Sequence, residues 1–290
     1  MQNISIELTE KCSYKCIHCY CQMYSSKQQS MSAVLFSEIL AYAIETETLC
    51  ITLTGGEALL HDNFYEMYEL AFDKGFLISV YSNGNCIPPH TLELFRDKPP
   101  FKIDISIYAM SDEIHNVITN TRLGIKPVID NILALKVCNV PLTLKYVVLR
   151  QNISDLEHFI KFTENHNILN SITFANIPIS IPAIKNKEFR ISNCELKELL
   201  VRYPNRINIQ SVDETMSCDI GNILHVTAGG LIKPCPVYSS PKILFNRKTI
   251  DEYVSKFRIP QGTVFCPAWE QLESRDSITM FLYGENNARK

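Results

Sequence analysis

Strand-like and helix-like segments take turns along the first two thirds of this chain, and that rhythm restricts the fold more than any other feature. The strand candidates are residues 4–8, 50–54, 76–82, 101–107, 142–149 and 171–177, short apolar runs in which β-branched residues recur. Between them lie 32–45, 63–74, 88–95, 125–137 and 154–165, which read as helices. Ser32 and Ser154 stand as N-cap candidates, and Asp155 and Glu157 favour a first helical turn. A strand, a crossover helix and a returning strand make a right-handed parallel unit. Six such units therefore imply an α/β fold around a parallel sheet. In closed or partial barrels of this kind, ligands gather at the C-terminal ends of the strands.

The loop after the first strand carries Cys12, Cys16 and Cys19. Thiolates are the usual ligands of iron–sulfur clusters, and three this close suit one face of a cube. With no fourth cysteine at matching spacing, one iron would stay open to a small molecule. The alternative is a zinc knuckle, which needs four ligands. Cys21 would have to be the fourth, an awkward neighbour to Cys19 in so tight a turn.

This C-x3-C-x2-C run after a first strand resembles the radical S-adenosylmethionine (SAM) enzymes. The resemblance implies a [4Fe–4S] cluster on Cys12, Cys16 and Cys19, whose open iron chelates the amino and carboxylate groups of SAM. One electron then cleaves SAM to a 5′-deoxyadenosyl radical, which abstracts hydrogen. The fold it implies is a partial (β/α)6 TIM-like radical SAM barrel at residues 1–190. A small C-terminal domain similar to the twitch or SPASM type would occupy 191–290, beginning with a connector.

Other motifs fall at strand ends in the order that family uses. The second strand runs into Gly55-Gly56-Glu57. Glycines there let backbone approach a ligand closely, and the carboxylate can accept hydrogen bonds from an ammonium group. In the family this triplet binds the amino group of SAM. The third strand ends at Ser82-Asn83-Gly84, an ordinary turn by itself that in the family lies beside SAM. The fourth holds Ser106 and Tyr108, with His115 nine residues after the serine. The family's serine contacts the ribose or carboxylate of SAM. Ala109 and Asn116 replace the usual Gly and Asp, and His115 reads as a packed histidine near a helix start. Lys145 or Asn152, near the end of the fifth strand, is open as a further SAM contact.

From residue 207 the texture changes. Residues 223–227 and 231–233 flank Ala228-Gly229-Gly230, a hairpin signal, and 249–257 reads as a short helix. Cys218 precedes the hairpin, Cys235 follows it, and Cys266 comes later. This resembles the auxiliary-cluster domain of radical SAM enzymes that modify peptides and some small molecules, and implies a second iron–sulfur cluster on these three; the alternative is a degenerate domain without a cluster. Trp269 stands where that pattern carries another cysteine, so the fourth ligand is open. Cys50 and Cys138 adjoin apolar runs and read as core. Cys21, Cys86 and Cys194 are candidate hydrogen-atom donors, with nothing to select one.

The chain has 290 residues, 46% of them hydrophobic, enough for a barrel-sized core. A net charge of −3 exerts no global pull on nucleic acid or anionic membranes. No run is long enough to cross a membrane, and no signal peptide opens the chain. Eleven cysteines without a secretion signal point to a reducing cytoplasm. The expected substrate is a ribosomally made peptide, crosslinked or epimerised. A small-molecule oxidoreductase and a non-catalytic iron–sulfur or zinc protein are the alternatives, the last disfavoured by Gly55-Gly56-Glu57. Flavodoxin or ferredoxin would supply the electron. With no N-terminal segment to spare, leader recognition would fall to a separate protein or to other surfaces.

Overall fold

The computed structural model describes residues 3–19, 28–173, 188–204, 223–234 and 243–256. Six parallel strands run β1 (Asn3–Thr9), β2 (Cys50–Gly55), β3 (Leu77–Ser82), β4 (Lys102–Ile107), β5 (Leu142–Val147) and β6 (Leu169–Thr173), and the sheet is ordered β6-β5-β4-β3-β2-β1. Each strand pairs with the next in sequence, as crossover helices require. The parallel α/β sheet expected from the alternation is present, as is the partial barrel that the resemblance implies.

The helices are α1 (Ala33–Glu45), α2 (Phe64–Asp73), α3 (Pro89–Asp97), α4 (Asp112–Thr119), α5 (Lys126–Val137) and α6 (Leu156–Asn165). Ser32 caps α1 as expected, its hydroxyl accepting from the Leu35 amide at 3.2 Å. Phe36, Ile39, Leu40 and Ala43 then share one buried stripe. That stripe belongs to the same apolar core as Ile4, Ile6 and Leu8, alternate residues of β1.

Two local expectations are corrected. Ser154 caps nothing: a 3-10 turn (Ile153–Asp155) leads into α6, and Asp155 is its N-cap residue. The Asp155 carboxylate makes no cap bond; it accepts from the amides of Met110 and Ser111 and pins the loop after β4. The second difference is α4, absent from the helices read from the alternation, although His115 reads as sitting near a helix start. Asp112 and Glu113 suit its N-terminus, and Asn120 ends it in the left-handed conformation at φ 51°.

The tail joins the same sheet. Strand β7 (Ile223–Val226) pairs parallel with β1, and β8 (Leu231–Lys233) and β9 (Ile243–Leu244) follow antiparallel. Gly230 closes the β7–β8 turn at φ +78°. A capping box of Ser192 and Glu195 starts α7 (Asn193–Arg202), and α8 (Ile250–Ser255) is the short helix expected near residue 250. Register alternation divides the sheet into two faces. Ser5, Thr52, Thr54, Ser79, Asp104, Lys145 and His225 share the inner, concave face. Among the described residues no helix is long and apolar enough to cross a membrane.

Candidate functional site

The cysteine loop hangs between two supports at the C-terminal end of the sheet. On one side the β2 turn grips the exit of β1: the Gly56 amide donates to the Thr9 carbonyl at 2.7 Å, and the Glu57 amide to the Lys11 carbonyl at 2.8 Å. Both glycines are needed for this approach. A Cβ on Gly56 would stand 2.5 Å from the Lys11 oxygen, and one on Gly55 would collide with the Thr9 oxygen. On the other side the amides of Lys15 and Ile17 donate to Thr119 and Ile118 at 2.9 Å each. Those are last-turn carbonyls of α4, which have no partner within their own helix.

All three cysteines of the motif sit in this loop. Cys16 is buried, and Cys12 and Cys19 are half-buried. Burial pushes the Cys12 thiol up to about 11 and raises Cys16 further, and in both the charges of neighbouring cysteines add to the rise. Among the described residues no group of three His, Cys, Asp or Glu is placed to hold a single metal ion.

Glu57 links the other strand ends to this loop. It is 1% exposed. One carboxylate oxygen accepts from the Leu59 amide at 3.2 Å; the other accepts from the Asn83 amide at 2.7 Å and the Ser82 hydroxyl at 3.1 Å. Burial nevertheless pushes its carboxyl up to about 7, against the pull of those hydrogen bonds. The Asn83 side chain then reaches Cys12 Sγ at 3.6 Å and the Ser13 hydroxyl at 3.3 Å. Gly55, Gly56, Glu57, Ser82, Asn83 and Cys12 thus form one connected set. Ser106 joins through Tyr108, which interacts with both Ser106 and Cys16.

Three site residues carried no role in the sequence reading. Tyr14 and His18 lie in the spacers of the cysteine motif, and Tyr108 lies two residues past Ser106. His18 packs edge-on to Tyr108 with ring centroids 4.8 Å apart, and burial pulls its imidazole down to about 4. Tyr14 meets His115 Nε2 at 3.2 Å, so His115 is packed as expected, against an aromatic of the loop. Aromatic residues inside such short spacers are the one signal that pointed to them.

Of the open candidates, Asn152 is spent on structure: its amide donates to the Tyr108 and Val147 carbonyls and accepts from the Leu149 amide. Lys145 pairs with Asp104. Cys138 packs on the core, Cys50 is half-buried, and Cys86 and Cys194 are exposed. Cys21, Cys218, Cys235 and Cys266 lie outside the described residues.

A family model described as "Radical SAM superfamily" matches residues 6–163, more than half of the chain. The chain belongs to the radical SAM superfamily. A [4Fe–4S] cluster and SAM are the cofactors that membership implies. The sporulation killing factor maturation protein SkfB of Bacillus subtilis (strain 168) is 22% identical over 249 residues, 82% of this chain and 60% of SkfB. A protein named "Probable GTP 3',8-cyclase" from Archaeoglobus fulgidus is 24% identical over 256 residues, 80% of this chain and 85% of its own. Among solved structures, Streptococcus suis SuiB bound to S-adenosylmethionine superposes with a TM-score of 0.65 at 12% identity, over 89% of this chain and 66% of SuiB. That likeness shows the shared fold. This radical SAM chain spans less than two thirds of SkfB and of SuiB.

Proposed function

We propose that this radical SAM protein cleaves SAM reductively and abstracts hydrogen from a ribosomally made peptide, leading to a crosslink or an inverted α-carbon. The observation that carries the first half is the connected set at the strand ends, in which Asn83 links Cys12 of the cysteine loop to Glu57 of the Gly55-Gly56-Glu57 turn. Cys12, Cys16 and Cys19 would hold a [4Fe–4S] cluster, which when bound supplies the electron for SAM cleavage. Asn83 and the Tyr14 amide direct N–H groups at Cys12 Sγ and favour its thiolate. A carboxylate has about four acceptor positions. Glu57 uses three of them on the protein, leaving one for the ammonium of SAM. Ser82, Asn83 and Ser106 would complete the SAM site.

The peptide assignment is supported by relatives: SkfB is named as a maturation protein, and SuiB has been solved bound to its precursor peptide SuiA. The cyclase match supports a second reading, a small-molecule substrate. Cys218, Cys235 and Cys266 would carry an auxiliary cluster in a C-terminal domain at 191–290. Removing them should halve the iron content if both clusters are of one type.

The test is anaerobic reconstitution with SAM and dithionite, reading 5′-deoxyadenosine by mass spectrometry. The wild-type chain should form it, and a Cys12→Ala/Cys16→Ala/Cys19→Ala variant should not. Product from the triple variant would overturn the assignment. Glu57→Gln should weaken SAM binding about ten- to a hundredfold with the cluster retained, because one charge-assisted hydrogen bond is lost. Unchanged SAM affinity would remove Glu57 from the site.

A further inference from the structure

The inner face of the sheet carries a charged group that the proposed SAM site does not use. Asp104 on β4 has a side chain only 4% exposed, and its Oδ2 meets Lys102 Nζ at 3.1 Å and Lys145 Nζ at 3.7 Å. Its other oxygen, Oδ1, is buried and has no hydrogen-bond partner among the described residues. A buried acceptor is costly to leave unpaired, and nearly all such atoms in folded proteins find a donor. The lysines are the reverse case. Each side chain is 36% exposed. An ammonium has three donors, and each of these spends at most one on Asp104.

Charge and position narrow the ligand. One lysine would neutralise Asp104; two leave the trio at +1. A carboxylate balances that charge, whereas a phosphate dianion would leave an excess negative charge beside a buried Asp. In register Lys145 stands opposite Ser106, and Asp104 lies two residues before Ser106, about 7 Å along the strand. Lys145 is therefore level with the proposed SAM site, Asp104 one layer inside it and Lys102 one layer deeper, all on the face that a substrate inside the barrel would meet. Tyr81 stands opposite Asp104 on β3, with its ring 5.9 Å from Lys102 Nζ, and supplies an apolar wall.

We infer that Lys102, Asp104 and Lys145 recognise a singly charged carboxylate of the substrate peptide, with the unpaired Oδ1 of Asp104 accepting a peptide N–H beside it. This rests on the peptide reading above and deepens it. The carboxylate is either an acidic side chain or a C-terminus.

Binding to the cluster-reconstituted protein without reductant tests it. The probes are N-acetyl-glutamate α-amide, N-acetyl-glutamine α-amide, N-acetyl-glutamine as the free acid, and inorganic tripolyphosphate. At least one carboxylate probe should bind about tenfold tighter than the neutral amide, and which one does so identifies the source. Lys145→Gln and Lys102→Gln should each abolish that preference, while Lys145→Arg retains it; thermal melting establishes that each variant is folded. Equal binding of charged and neutral probes overturns the inference. So does a preference that survives both Gln substitutions, or tripolyphosphate binding tighter than either carboxylate through the same lysines, which would mark a phosphate site. Because no SAM cleavage is needed, this titration and the 5′-deoxyadenosine assay fail independently.

Discussion

On the outer face of the sheet Ile4, Ile6, Ile51, Leu53, Ile103 and Ile105 are wholly buried in the main apolar core. The inner face of the same strands carries Ser5, Glu7, Thr52, Thr54, Asp104 and Lys145. The difference teaches where stability and chemistry separate. The outer face gains from burial whatever the side-chain detail, at about 25 cal/mol for each Å² removed from water. The inner face gains little that way, and each of its buried polar groups must find a partner. Glu7 finds His225 at 2.7 Å across the β1–β7 pair, and Thr52 finds Asn3 at 3.0 Å. Asp104 finds two lysines for one oxygen and none for the other.

That contrast is broken most directly on the outer side. Phe36→Ala should cost about 3–5 kcal/mol in denaturant unfolding, because it empties a fully buried position of α1 that no polar partner can compensate. A cost below about 1 kcal/mol would mean that the outer core is looser than its burial indicates.

Acid titration sharpens the inner side. Burial pushes the Glu7 carboxyl up, but the hydrogen bond and charge of His225, with Lys233 and the Ala228 amide, outweigh it, and the group lies below its ordinary value. A depressed carboxyl contributes stability that is full above the unfolded-state value and is lost as the pH falls through the folded one. Unfolding free energy should therefore drop in the acid range below about pH 4.5, the ordinary carboxyl value. Glu7→Gln should flatten part of that drop while costing up to about 3 kcal/mol near neutrality, where the buried His225 loses the charge of its carboxylate partner. An acid profile identical to wild type would show that the pair does not couple β7 to β1.

The smallest expected effect comes from Thr52→Val, which keeps the shape and removes one hydrogen bond to Asn3. About 0.5–1.5 kcal/mol is expected from thermal melting. A loss as large as that of Phe36→Ala would erase the distinction between the faces.

Much of the candidate site was legible because its residues are local. Cys12, Cys16 and Cys19 lie within eight residues of one loop, and Gly55-Gly56-Glu57 and Ser82-Asn83 each close a strand of their own. A strand end is readable from alternation, and consecutive parallel strands carry their ends to one side. Other features had no such signature. Ser154 looks like a cap, but the adjacent Asp155 reaches across to Met110 and Ser111, and the turn around it displaces the helix start. Asn152 resembles a ligand, yet its amide is consumed by three backbone groups.

The sequence alone determined the alternation, the apolar stripes and the order of the motifs, since each depends on residues a few positions apart. Tertiary structure decided the pairings across long separations: Glu7 with His225, Glu57 with Ser82 and Asn83, and Asp104 with Lys145. It also decided that β7 docks beside β1 and continues the sheet. The physical reason is that periodicity records which face of an element is apolar, whereas a buried polar group is defined by what the fold brings within hydrogen-bond reach.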